Sequence, residues 1–145
     1  MSRGYFEIGI YNGKTPSNLG TLWRSAMQLG ANGIFVIGHR YQLQSCDTMK
    51  AYRHIPLRQF TTFEDFEKSR PYDSMLIGVE MGGRVLSGYH HPERAIYLLG
   101  AEDHGLPEKI LNKCNSVVSL QAINNASYNV AVAGTLVMYH RNFGQ

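Results

Sequence analysis

Gly33-Ile34-Phe35-Val36-Ile37-Gly38 is the stretch whose reading decides the fold. Four apolar residues in a row between two glycines leave no polar face, the pattern of a strand covered on both sides in a parallel sheet. Upstream, Tyr5 to Tyr11 is rich in aromatic and β-branched residues and stops at Asn12-Gly13, a strand running into a turn. Between these strands Leu19, Leu22, Trp23, Ala26 and Met27 recur at the i, i+3, i+4, i+7, i+8 spacing of a core-facing helix, entered at Pro16-Ser17 and closed by Gly30. Strand, helix, strand is a βαβ unit, and the rest of the chain is read outward from it.

From His39 to Phe60 the sequence is polar and mixed, with Arg40, Lys50, Arg53, His54 and Arg58, and supports at most a short helix around Thr48 to Tyr52. Thr61 or Thr62 caps a helix through Phe63, Phe66 and Glu67, and Ser74 to Val79 is a buried-type strand. Met81-Gly82-Gly83-Arg84 reads as a turn, followed to Pro92 by a loop or short amphipathic piece. Ala95 to Gly100 is a further buried strand, Leu106 to Leu111 starts a helix with Pro107 in its first turn, and Ser116 to Leu120 is a short strand. A final helix is expected from Ala126 to about Tyr139, apolar on nearly every side between Val130 and Tyr139. Such a helix should be buried on more than one face, against the sheet and either a second subunit or an unusual enclosure. The alternation predicts one α/β domain over residues 1–145, with five or six strands and no internal repeat.

The chain has 145 residues, 43% hydrophobic and 17% charged, the size and apolar content of one globular domain rather than of a disordered tail or a two-domain enzyme. Fourteen Lys plus Arg against eleven Asp plus Glu give +3, which permits a polyanionic partner without demanding one. No apolar run approaches the ~20 residues of a membrane span. The N-terminus does not read as a secretory signal, so the expected compartment is the cytoplasm. Cys46 and Cys114 fit two reduced thiols, and the six methionines are expected to be mostly core filler. His90, His91 and Glu93 give no metal reading, because adjacent residues point apart and no third ligand has a recognisable spacing. The absence of G-x-G-x-x-G after a strand and of G-x-x-x-x-G-K-[ST] weighs against a dinucleotide or P-loop domain.

Three segments follow strands with glycine and polar residues, where open α/β sheets place ligands. Asn18-x-Gly20-x-x-x-Arg24 opens the first helix, with Arg24 away from the apolar stripe, as either a solvated helix arginine or a cleft residue. Leu99-Gly100-Ala101-Glu102-Asp103-His104-Gly105-Leu106 is a glycine-bounded acidic loop, either a ligand cradle or a turn in which Glu102 or Asp103 caps a helix. Ser127-Tyr128-Asn129-Val130 feeds the last helix; Ser127 suits a cap, while Asn129 needs a hydrogen-bonding reason to enter an apolar helix.

Taken in order, these segments resemble the three signature motifs of the SPOUT superfamily, in its SpoU/TrmH class of RNA ribose 2′-O-methyltransferases. The resemblance implies an open, mostly parallel sheet with helices on both faces and a C-terminal deep trefoil knot. It implies S-adenosylmethionine held in a bent form by the knot loops, here Val79, Gly100 with Glu102 and Gly105, and Val118 to Leu120 leading to Ser127. It further implies a homodimer through the last helix, and activity on structured RNA, tRNA ahead of rRNA. Arg24 matches the arginine assigned to activating the 2′-hydroxyl, and Asn18, Glu102, Ser127 and Asn129 match the polar residues around it. A guanidinium keeps its proton to a pKa above ~12, so Arg24 is expected to act by lowering the hydroxyl pKa and pinning the adjacent phosphate rather than as a base. Lys14, Arg40, Lys50, Arg53 and Arg58 are the candidates for RNA contact. Two positions depart from the family pattern, Ser119 where proline is usual and Tyr128 where leucine is usual. A larger tyrosine either packs in the core or stacks on a base or the cofactor's adenine. A non-catalytic RNA-binding protein on the same fold, and a base-nitrogen methyltransferase, are the competing readings.

Overall fold

The computed structural model describes residues 4–38, 55–101, 104–124 and 127–144. Strands β1 (Tyr5–Tyr11), β2 (Gly33–Ile37), β3 (Leu57–Phe60), β4 (Met75–Val85), β5 (Arg94–Gly100) and β6 (Ser116–Ser119) form one sheet in the order β3-β2-β1-β5-β4-β6. Every neighbouring pair is parallel. The helices are α1 (Pro16–Gln28), α2 (Phe63–Ser69), α3 (Glu108–Leu111) and α4 (Val130–Phe143). None of them is long and apolar enough to cross a membrane.

Parallel strands need a crossover each, and the crossovers cover both faces of the sheet. Strand side chains alternate between the faces. Ile34 and Val36 of β2 join Ile8, Ile10, Leu22, Trp23 and Val137 in one core under α1 and α4. Phe35 and Ile37 join Ile96, Leu98, Phe63, Phe66 and Ile110 in the other, under α2 and α3. The predicted α/β domain with helices on both faces is therefore what the chain forms, with six strands among the described residues. Gly134 is where α4 comes down on the sheet: a Cβ there would stand 2.5 Å from Leu22 Cδ1 and 2.9 Å from Leu99 Cδ1.

Two expectations are corrected. Met81 to Arg84 is not a turn but the irregular middle of β4. Val79 and Arg84 both oppose Val118, so residues 80–83 bulge out of the ladder around Gly82 (φ +87°) before pairing resumes at Arg84 and Val85. The last helix starts at Val130 and reaches Phe143, with Asn129 rather than Ser127 as its N-cap. That helix is apolar on two sides: Val130, Ala131, Ala133, Gly134, Val137 and Met138 are buried, while Val132, Leu136, Tyr139 and Phe143 form an exposed apolar stripe. Among the described methionines Met138 is buried and Met27 packs against the core, while Met75 and Met81 are exposed.

Further expectations hold or change locally. Thr62 caps α2 by accepting from Asp65 N. Pro107 sits at the N-cap of α3, just ahead of its first turn. The helix expected around Thr48 to Tyr52 lies outside the described residues, as does Cys46. Cys114 is a free thiol whose pKa burial pushes up to about 11.

Candidate active site

Parallel topology brings the bulge of β4 and the C-terminal ends of β5 and β6 together, and a cavity of about 480 Å³ lies there. Among the described residues its wall comes from Val79, Glu80 and Met81, from Leu99 to Ala101 with His104 and Gly105, and from Leu120, residues 122–124, Ser127, Tyr128 and Val130, with Ala133 of α4. Among the described residues, Val79, Gly100, Gly105, Leu120 and Ser127 stand where a cofactor site was expected. Val118 does not: it is fully buried in the core and is not part of the wall. Glu102 lies outside the described residues.

The β5 loop folds back on its own strand, with Gly105 N donating to Ala101 O at 3.0 Å. Gly100 has no room for a side chain, because a Cβ would stand 2.3 Å from the carbonyl carbon of Gly105. Gly105 has φ +64°, and a Cβ there would meet Glu80 Oε2. Glu80 fastens this loop to the β4 bulge: Oε2 accepts from Leu106 N at 2.6 Å and Oε1 from Met81 N at 3.0 Å. Glu80 went unnoticed in the sequence, although an acid directly after the buried run Leu76 to Val79 is a signal that could have found it.

Tyr128 lines the cavity and donates through its hydroxyl to Gln121 O at 2.6 Å. It therefore belongs to the site wall and not to the core. Ser119, in place of the usual proline, donates to Gly83 O at 2.9 Å and ties the end of β6 to the β4 bulge. Ser127 Oγ reaches Met81 Sδ at 3.7 Å.

Asn129 has two tasks. Its Oδ1 accepts from Ala131 N and Val132 N, satisfying free N–H groups of α4, and its Nδ2 donates to Asn18 Oδ1 at 3.0 Å. The first and third sequence segments are thereby joined beside the cavity. Below that bond α1 and α4 run parallel, tied by Thr135 Oγ1 to Ser25 Oγ at 2.9 Å and by Asn142 Nδ2 to Leu29 O at 2.6 Å. Arg24 lies exposed on α1, six residues and about 9 Å of helix beyond Asn18, and is not part of the cavity wall.

Of the basic residues singled out for RNA, Lys14 is exposed in the turn between β1 and α1, while Arg40, Lys50 and Arg53 lie outside the described residues. Arg58 pairs within the fold while its side chain stays 37% exposed: its Nη2 is 2.6 Å from Oε1 of Glu7, which is 2% exposed. Glu7 also accepts from the Tyr5 hydroxyl. A carboxylate with so little access to water needs a charged partner, and Arg58 supplies it.

Residues 6–139 match the SpoU rRNA methylase family. The chain belongs to that family. A relative 26% identical over 137 residues is a 23S rRNA (uridine(2479)-2′-O)-methyltransferase of Streptomyces viridochromogenes. The match covers 86% of this chain and 48% of that one, so the chain spans about half the length of the curated relative it matches. An AdoMet-bound rRNA methyltransferase from Sinorhizobium meliloti superposes with a TM-score of 0.84 at 25% identity, over 96% of this chain and 56% of that one. A structure described as giving insights into the 2-OH methylation of C/U34 on tRNA superposes with a TM-score of 0.85 at 22% identity, over 99% of each chain.

Proposed function

We propose that this SpoU-family chain transfers a methyl group from S-adenosylmethionine to a ribose 2′-hydroxyl of structured RNA. The observation that carries the proposal is the Asn129–Asn18 hydrogen bond, which joins the first and third family motifs beside a cavity walled by the second. The cavity fits the cofactor in size, being within the roughly 300–1,000 Å³ of small-molecule sites. Its chemistry fits as well. Gly100 and Gly105 let a nucleoside approach the backbone, Leu99, Leu120 and Val130 offer an apolar wall, and Glu80 and Ser127 add polar groups.

Bound there, S-adenosylmethionine supplies an electrophilic methyl group on a sulfonium. The chain's own contribution is to hold a ribose against it and to stabilise the negative charge that develops on a poorly acidic hydroxyl. Arg24, a cation exposed to an incoming strand, lowers the pKa of that hydroxyl and grips the neighbouring phosphate with its fork. Asn18 and Asn129 orient the sugar beside it, and Glu102 belongs to the same polar set by motif. Lys14, exposed in the connection from β1 to α1, is a phosphate contact in this reading.

The same reading includes a homodimer through α4, supported by the exposed stripe Val132, Leu136, Tyr139 and Phe143. The trefoil knot expected of the family belongs to it too, and the all-parallel order β5-β4-β6 is compatible with one. The neighbour concerned with 2-OH methylation on tRNA, aligned over 99% of each chain, supports tRNA as the substrate. The cytoplasm is the proposed compartment.

The test is transfer of labelled methyl from S-adenosylmethionine to pooled unmodified tRNA and rRNA, with Arg24→Ala in parallel and the products digested by alkali. Label in alkali-resistant dinucleotides that vanishes with Arg24→Ala is the expected result. Label in alkali-sensitive nucleotides means base methylation, and cofactor binding without transfer to any RNA sinks the ribose reading.

A further inference from the structure

A second cavity, of about 210 Å³, opens on the other face of the same sheet edge. Its wall includes Tyr11 and Asn12 from the end of β1, Gly38 after β2, Thr61 before α2, and Lys109 and Lys113 at α3. None of these residues belongs to a family motif or to the site above.

The register fixes how near the two cavities are. Tyr11 pairs directly with Gly100, so one backbone neighbour serves the second cavity and the other the first. Paired strands lie about 4.8 Å apart. The chain also runs without a break from the second cavity to the motif residues. Tyr11 and Asn12 wall the cavity, Lys14 stands exposed, and Asn18 takes the hydrogen bond from Asn129. On the opposite side, the Gly100–Leu106 loop that walls the first cavity leads directly into Lys109 of α3.

The wall chemistry is that of a nucleic-acid contact. Lys109 and Lys113 supply two cations, against which Glu64 is the single acid among the described lining residues. Tyr11 is a half-buried aromatic, and aromatic rings accept any base on their faces. Asn12 is held at φ +55°, a conformation unusual outside glycine, with its amide oxygen over Gly38, itself at φ +96°. The volume is below that of small-molecule cofactor sites and suits a base or a phosphodiester group.

We infer that this second cavity binds a nucleotide flanking the methylated one, its phosphodiester against Lys109 and Lys113 and its base against Tyr11. The substrate strand then crosses the sheet edge from Asn18 past Lys14 to α3. This inference rests on the proposed methyl transfer to RNA.

The test uses two variants of the full chain. Lys109→Gln with Lys113→Gln removes both charges from exposed positions. Asn12→Gly removes the amide while suiting the backbone conformation, so it separates recognition from folding. The expected result is KM for RNA raised about tenfold by the lysine pair, kcat within about twofold, and S-adenosylmethionine affinity unchanged. The dependence of log affinity on log salt should flatten by about 0.7 for each lost phosphate contact to a single strand. Asn12→Gly should raise KM with no loss of thermal stability. Unchanged KM and salt dependence in a chain that methylates RNA would overturn the inference and leave the reaction standing. If the unaltered chain methylates no RNA, the reaction fails instead, and the cavity is judged by binding of a single-stranded oligonucleotide. Equal affinity of unaltered and lysine-substituted chains then overturns it.

Discussion

The side chains of Asn129 and Asn18 meet at 3.0 Å across 111 residues of sequence, and the same Asn129 caps α4. One amide thus sets both the start of a helix and the distance between two motifs.

These tasks can be separated. Asn129→Ser keeps a capping oxygen but is too short to reach Asn18, so stability should change by only a few tenths of a kcal/mol against about 1 kcal/mol for Asn129→Ala. Methyl transfer should nevertheless fall at least about tenfold in both. A double-mutant cycle with Asn18→Ala, read in kcat/KM, should be strongly non-additive; additive losses would mean that the pair does not act as a unit.

Gly105→Ala places a methyl group against Glu80 at φ +64° and should weaken S-adenosylmethionine binding by more than about tenfold, measured by calorimetry. Gly88 has φ +79° but nothing within 4 Å of its Cβ position. Gly88→Ala should therefore carry only the backbone strain, about 1 kcal/mol, with cofactor affinity intact.

Arg58→Ala leaves Glu7 buried without its cation, and urea unfolding should show a loss of about 2–4 kcal/mol. Since Arg58 is engaged in the fold, RNA affinity of the folded fraction should stay within about twofold. A large drop in affinity with normal stability would return Arg58 to the RNA surface.

His91 is poised between Tyr97 OH at 2.6 Å and His140 Nδ1 at 2.8 Å, with Arg141 on the same tyrosine and Tyr89 edge-on to its ring. Burial, then the neighbouring His140 and Arg141, lowers its pKa to about 4. The unfolded chain therefore binds a proton that the folded chain does not between pH 6.5 and about 4. Stability is full above pH 6.5 and declines as pH falls through that window, by about 1–2 kcal/mol once solvent screening of a partly exposed ring is allowed for. Thermal unfolding at pH 7 and pH 5 should show the decline in the unaltered chain and a smaller one in His91→Gln.

Leu136→Arg on the exposed stripe should leave the fold unchanged and shift sedimentation from dimer to monomer. A monomeric unaltered chain would remove the dimer from the proposal.

The elements legible in the sequence are those whose signal is local. Leu19 to Met27 and Ile34 to Ile37 declare a helix face and a doubly covered strand because burial alone dictates their periodicity. The three motif segments announced the cavity because glycine and polar residues after a strand have few other uses. Met81 to Arg84 misled because two adjacent glycines look like a turn, while a bulge uses the same freedom and lets the ladder resume. Ser127 and Asn129 are both good caps in sequence, and what decides between them is where α4 begins: at Val130, so that the Asn129 Oδ1 meets Ala131 N and Val132 N. Arg58 looked like part of a basic cluster because its partner Glu7 is 51 residues away. Glu80 has no motif at all, and its role depends on two backbone N–H groups that sequence does not display.

The pairing of β1 with β5 sets a timetable for the chain's synthesis. Tyr5 meets Arg94 and Tyr11 meets Gly100, so the central strand waits for a partner some ninety residues downstream. Until then its free edge is open to any other strand in reach, and contacts this distant are the slow ones in folding. The later half of the chain must arrive before the earlier half is safe from aggregation, which makes exposure of the growing chain, more than the stability of the finished one, the point at which this fold is most easily lost.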